Sequence, residues 1–180
     1  MPEPARIPCG MDASDGLLMN TTDSLSDQPL TPERKALLTL PHRPPMRLVE
    51  EVLAIVPGES ARTRRIAHAE DFYFQGHFPD RPIVPAIILV ELLAQTGGLA
   101  ACSGDQPAPS GGLRLAALGG FKFPAAAGPG AVLEATARVA GRAVGLIKIE
   151  GEVTADGRRV AIGSLTLSPA PIGAAENRPR

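Results

Sequence analysis

The chain has 180 residues, 44% of them hydrophobic, with 18 Lys and Arg against 19 Asp and Glu for a formal net charge of -1. That length supports one sizeable core and hardly two. The near-neutral charge, without a long basic tract, argues against nucleic acid as the main partner, because phosphate binding needs clustered Lys and Arg.

Residues 1–31 mix Ser, Thr, Asp, Gly and Pro around a brief apolar patch at Leu17-Leu18-Met19, too short for the core of a signal peptide. They read as a disordered N-terminal extension, and Met11 and Met19 leave the start codon open. The chain has two cysteines, Cys9 and Cys102, which form neither a disulfide framework nor a metal spacing. A reducing, cytoplasmic setting is expected, with Cys102 as a small buried apolar residue.

A short helix is predicted from Pro32 to Leu38, capped by Thr31 with proline in the first turn. Arg47 to Val56 and Ser60 to Ile66 flank Pro57-Gly58, and their β-branched content predicts an antiparallel pair. The longest apolar stretch, Ile83 to Val90, is interrupted by Pro85 and stops at Glu91. It falls well short of the roughly 20 residues that span a bilayer, so no membrane insertion is expected. Ala86 to Ala101 is rich in helix formers and apolar almost all round, which predicts one long helix buried on several sides.

A Gly, Pro and Ser-rich loop from Ser103 to Gly112 precedes a strand from Leu113 to Phe123. Leu133, Ala135, Ala137 and Val139 then alternate with Glu134, Thr136 and Arg138, the period of a half-exposed strand. Ile147, Ile149 and Val153 repeat that alternation against polar neighbours, and Asp156-Gly157 offers a hairpin turn into Val160 to Leu167. The sum is an α+β domain over residues 32–168, with a long central helix wrapped by a five- or six-stranded, mostly antiparallel sheet. Residues 169–180 read as a disordered tail.

Fourteen positions separate His77, in Gly76-His77-Phe78-Pro79, from Glu91, whose seven nearest apolar neighbours run from Ile87 to Ala94. Burying an unpaired carboxylate there costs several kcal/mol, so Glu91 calls for a partner or a chemical task. Taken alone, His77 reads as a hydrogen-bonded loop histidine and Glu91 as a satisfied core acid. Gln95 lies one helical turn past Glu91, in place to hold its carboxylate.

The longer frame resembles a known family. Leu40-Pro41-His42-Arg43 with Pro45 and Leu48-Val49-Glu50-Glu51-Val52 is similar to the opening of the FabZ-type (3R)-hydroxyacyl-acyl carrier protein dehydratases, close relatives of the FabA type. Phe74-Gln75-Gly76-His77-Phe78-Pro79 with Arg81-Pro82-Ile83-Val84-Pro85 resembles the family's catalytic segment. Glu91 with Ala94-Gln95 resembles its helix motif, and Phe121-Lys122-Phe123-Pro124 with Gly130 adds a weaker match. The resemblance spans residues 40–168.

This resemblance implies the hotdog fold, a homodimer that can assemble further into a trimer of dimers, and substrate tunnels at the dimer interface. It implies dehydration of a 3-hydroxyacyl chain on acyl carrier protein, with His77 and Glu91 of one site drawn from different subunits. In that chemistry His77 suits the base that removes the C2 proton. Glu91 suits the acid, or the group that holds the leaving hydroxyl or a water. Backbone N–H groups at Ala86 and Ile87 stand where a helix start stabilises an enolate-like oxygen. No metal or organic cofactor is required.

Phe72, Tyr73, Phe74 and Phe78 either line the tunnel or pack against the helix. Arg62, Arg64 and Arg65 with Lys122 form either a basic rim for an acidic carrier protein or a solvated sheet face. His42 and His68 read as structural or solvent-facing. The chain departs from the family at Ala86, where glycine is usual, and at Asp80; the Ala86 methyl bears on substrate range. Glu91, in place of the Asp of the FabA type, argues against an additional isomerase activity. The competing classes are a hotdog thioesterase and a non-catalytic homologue that binds acyl carrier protein.

Overall fold

The computed structural model describes residues 31–103 and 112–170. The expected N-terminal extension, apart from Thr31, and most of the expected C-terminal tail lie outside them, as does the interior of the 103–112 loop.

Helix α1 runs Pro32–Leu38, and the Thr31 hydroxyl accepts the Arg34 N–H at 3.4 Å, the cap its sequence predicts. Strands β1 (Glu51–Val56) and β2 (Ser60–Ile66) pair antiparallel around Gly58, whose φ of 75° suits a residue without Cβ. The Gly58 N–H also donates to the Ala100 carbonyl at 3.0 Å, tying this turn to the central helix. A single 3-10 turn follows at Phe72–Phe74, then helix α2 at Ala86–Cys102.

Strands β3 (Leu113–Lys122), β4 (Val132–Ala143), β5 (Leu146–Ala155) and β6 (Arg158–Pro169) complete the chain order. The six strands form one sheet in the order β1-β2-β4-β5-β6-β3, and every neighbouring pair is antiparallel. The meander β4-β5-β6 turns at Val144-Gly145 and at Asp156-Gly157, where both residues of each pair have positive φ. That is the backbone of the two-residue hairpin turns whose twist matches the strands.

Several boundaries differ from the sequence expectation by a residue or more, and two of them have a visible cause. The first strand begins at Glu51, four residues later than Arg47, because the N–H groups of Leu48 and Val49 are taken by a side chain, Gln95 Oε1, at 2.9 and 3.3 Å. At the other end β6 continues to Pro169, which lies opposite Leu113 of β3, so position 169 belongs to the sheet.

Helix α2 packs against β2, β4, β5 and β6 and buries residues on most of its circumference, among them Leu89, Leu92, Leu93 and Leu99. Small side chains let it approach: Ala61, Ala135 and Ala137 are fully or almost fully buried. A Cβ on Gly97 would stand 2.8 Å from Ile149, a distance real side chains avoid. Inside this contact Thr63 and Thr96 share a hydrogen bond of 2.7 Å, and Thr96 also donates to the Leu92 carbonyl at 2.8 Å, so the buried hydroxyls are satisfied. Among the described residues no helix is long and apolar enough to cross a membrane.

Gly151 of β5 marks the tightest point of this packing. A Cβ there would meet the Thr136 carbonyl oxygen and stand 2.9 Å from Leu93 Cδ1. Gly151→Ala is therefore expected to lower stability by about 1–3 kcal/mol through overpacking. Urea unfolding measures this, and an unchanged midpoint would contradict the close helix–sheet contact.

Candidate active site

Glu91, Ala94, Gln95, Gly98 and Cys102 recur at spacings of three and four along α2 and so share one face of the helix. That face forms one wall of a cavity of about 410 Å³, closed on other sides by Leu40 to His42, Leu113 to Leu115 and Leu167. The lining is mostly apolar; Glu91, Gln95, His42 and Arg114 supply its principal polar groups. Ala94 and Gly98 keep the cavity open, for a Cβ on Gly98 would meet no atom within 4 Å.

The Glu91 side chain is 25% exposed, so the burial expected from its apolar neighbours is incomplete: the carboxylate faces the cavity. Its Oε1 accepts from Gln95 Nε2 at 2.9 Å. Gln95 is itself buried and fully used. Its Oε1 accepts the Leu48 and Val49 N–H groups, and its Nε2 donates to the Met46 carbonyl at 2.7 Å as well as to Glu91. The Gln95–Glu91 contact expected from helical spacing is present, with the segment 46–49 as an additional anchor.

His77 stands on the segment between the 3-10 turn and α2. Arg65, only 4% exposed, pairs with Asp71 at 2.5 Å, and the same Asp71 oxygen accepts the Tyr73 hydroxyl at 2.6 Å. These contacts fix the start of the segment. At its other end the Val84 N–H donates to the Ala127 carbonyl at 2.8 Å. Between them, His77 Nδ1 lies 3.0 Å from the Ile83 carbonyl oxygen. A carbonyl only accepts, so Nδ1 carries the proton and Nε2 keeps its lone pair in the neutral ring.

Burial, with the Asp71 hydrogen bond second, pushes the Tyr73 phenol above its usual range. Burial likewise pushes the Cys102 thiol up, partly opposed by Arg142. Cys102 is half-buried and not fully buried as expected, because its side of α2 faces the cavity.

The other residues singled out in the sequence are dispersed. Phe74 is buried in the core beside Tyr73, at 4.7 Å between ring centroids, whereas Phe78 is 60% exposed and meets the His77 ring edge-on at 4.6 Å. Phe78 also has a φ of 56°, a strained value for a residue with a bulky side chain. Ala86 and Ile87 open α2 on an exposed surface; the bonds of the first turn run from Ile88 and Leu89 to the Pro85 carbonyl. Within one chain, His77, Phe74, Phe78, Ala86 and Ile87 do not line the cavity that holds Glu91 and Gln95.

The basic rim does not form. Arg65 is buried, Arg64 pairs with Glu51 at 2.6 Å, and Arg62 lies 4.0 Å from Glu134. Lys122 sits on β3, the opposite end of the sheet from β1 and β2. His68 pairs with exposed Glu50 at 3.0 Å, a structural contact as expected. His42 instead reaches Glu91, with Nε2 3.4 Å from Oε1, a neighbour that no local signal in the sequence marks.

A family model described as a FabA-like domain matches residues 40–164. A 3-hydroxyacyl-[acyl-carrier-protein] dehydratase FabZ from Roseiflexus sp. is 35% identical over 133 residues, covering 73% of this chain and 92% of the relative. The FabZ dehydratase of Polynucleobacter asymbioticus is 36% identical over 132 residues, covering 73% and 88%. Among solved structures, the dehydratase heterocomplex ApeI:P of Xenorhabdus doucetiae aligns with a TM-score of 0.64 at 18% identity, over 74% of this chain and 90% of that one. Zebra fish thioesterase superfamily member 2 aligns at 0.56 and 19% identity, over 73% and 89%, a likeness of fold. The chain belongs to the FabA-like family, and within it to the FabZ-type dehydratases, with the hotdog fold that the resemblance implied.

Gln95→Leu would leave the Leu48 and Val49 N–H groups and the Met46 carbonyl unpaired inside the protein. Chemical denaturation should register a loss of about 3 kcal/mol or more, since each buried orphan costs roughly 1–3 kcal/mol. Tyr73 sets an alkaline limit. The unfolded phenol releases its proton near pH ~10 while the folded one retains it. Its contribution to stability is therefore complete below that pH and is lost as pH rises toward the folded value. A thermal midpoint that falls above pH ~10 in the wild type, and falls less in Tyr73→Phe, is the expected outcome.

Proposed function

We infer that the protein dehydrates (3R)-hydroxyacyl chains carried on acyl carrier protein, yielding the trans-2-enoyl thioester and water in fatty-acid or related lipid synthesis. The observation that carries this reading is a carboxylate, Glu91, anchored through one oxygen on the wall of a mainly apolar cavity in a chain of the FabZ type. A carboxylate so placed serves a polar reacting centre at the end of an apolar ligand.

His77 acts as the base. Its Nδ1–H is held by the Ile83 carbonyl, so Nε2 is available to take the C2 proton of the acyl chain. As that C–H bond breaks, its electrons form the C2–C3 double bond and the C3–O bond breaks. Glu91, acting in its protonated form with the proton on Oε2, delivers that proton to the departing hydroxyl, which leaves as water and leaves the carboxylate behind. The thioester oxygen, which gathers charge during proton removal, is received by the N–H groups of Ala86 and Ile87 at the start of α2.

The two reacting side chains come from two copies of the chain. Glu91 and His77 do not share a cavity within one subunit. β3 is a sheet edge, with Leu115 and Leu118 exposed at 37% and 52%. A free edge carrying apolar side chains invites pairing with a second strand. The working unit is thus a homodimer in the cytoplasm, able to associate into larger assemblies of dimers. Phe78, exposed beside His77, and Phe74, which supports that segment from the core, border the path of the acyl chain.

Mass spectrometry of a short 3-hydroxyacyl-acyl carrier protein and its enoyl product tests the reading. His77→Ala and Glu91→Gln should each lower interconversion about 100- to 10,000-fold while remaining folded dimers, the range general acid–base catalysis supplies. Release of free acid would instead identify a thioesterase, and wild-type binding without interconversion would identify a carrier-binding homologue.

A further inference from the structure

The cavity that holds Glu91 is lined by an imidazole other than that of His77. His42 Nε2 lies 3.4 Å from Glu91 Oε1, the oxygen that already accepts from Gln95. The other ring nitrogen, Nδ1, is buried without a hydrogen-bond partner. A buried unpaired N–H is rarer and costlier than an unused acceptor lone pair, so the neutral ring places its proton on Nε2, facing Glu91. At 3.4 Å the contact is longer than a good hydrogen bond, as active-site contacts commonly are before substrate binds.

The backbone around His42 is fixed independently. Arg43 Nη1 donates to the carbonyls of Leu40, Pro41 and His42 at 3.1, 3.3 and 2.9 Å, gathering three successive peptide groups around one guanidinium. The same stretch of chain continues into Met46, Leu48 and Val49, the residues that hold Gln95. One segment therefore addresses the Glu91 carboxylate twice, through Gln95 and through His42.

We propose that His42 is a positioning residue, which with Gln95 engages Oε1 of Glu91 so that Oε2 is turned to the substrate hydroxyl. Among the described residues Oε2 makes no hydrogen bond, as a proton-donating oxygen requires. The contact is partly exposed to solvent, at 30% and 25%, and its effect lies in orientation. This inference rests on the dehydratase reading for its kinetic consequence and on geometry alone for the contact.

Two measurements on the full-length protein test it. In steady-state dehydration, His42→Leu should lower kcat about 10- to 100-fold, the usual cost of losing a supporting contact, with KM changed by less than about twofold. His42→Gln, whose amide N–H stands near the position of Nε2, should restore most of that loss. Wild-type kcat in His42→Leu, or a loss that glutamine does not restore, overturns the proposal. In 15N-histidine NMR, with the His42 signals identified by their absence from His42→Leu, His42 should be the Nε2–H tautomer and shift on Glu91→Gln. Signals unmoved by that substitution overturn it as well. A wild-type protein that performs no dehydration would sink the proposed function, while the spectra would still decide the contact.

Discussion

A primary amide has two N–H donors and an oxygen that accepts twice, and Gln95 uses all four, to Met46, Glu91, Leu48 and Val49. Because it is 2% exposed, none of these bonds has water as a ready substitute. The amide thereby determines three features together. It ends β1 at Glu51 by taking the N–H groups a longer strand would need, docks the segment 40–49 on α2, and orients the Glu91 carboxylate. Each bond is worth only about 1 kcal/mol net, but any one left open inside the protein costs more than it gains when made. The network is therefore kept whole or lost as a unit.

The His77 segment is held by a different kind of contact. Arg65 is too buried to exist without a counterion, so its pairing with Asp71 is a condition of folding more than a source of stability. Asp71 also accepts the Tyr73 hydroxyl, which places the turn Phe72–Phe74 and sends the chain toward His77. The Phe78 backbone, in a conformation its side chain disfavours, follows immediately. Strain of this kind persists where the flanking structure is over-determined, here by the Arg65 cluster before it and the Val84–Ala127 hydrogen bond after it.

Close packing and open volume are set by side-chain size along one helix. Gly97 lies against Ile149 with no room for a methyl group, while adjacent Gly98 faces empty space. The first lets α2 sink into a wall of alanines on the sheet; the second extends the cavity along the same helix. Both glycines cost helix propensity, roughly 1 kcal/mol each relative to alanine, which the burial of the surrounding leucines offsets.

Local pattern was enough for most of the architecture. The Thr31 cap, the alternation in β4 and β5, the Asp156-Gly157 hairpin and the extent of α2 all depend on residues within a few positions of one another, and their periodicity is visible in the sequence. So is the Glu91–Gln95 contact, one helical turn in length. The sequence by itself thus determined the layers of the fold, the family, and the candidates His77 and Glu91. Only the tertiary structure decided that Arg65 is a buried anchor and not part of a basic rim, that β3 ends the sheet, and that His42 reaches Glu91 across 49 positions of sequence. Those outcomes depend on which backbone lies beside which, and chain topology, not the period of a helix or strand, sets that proximity.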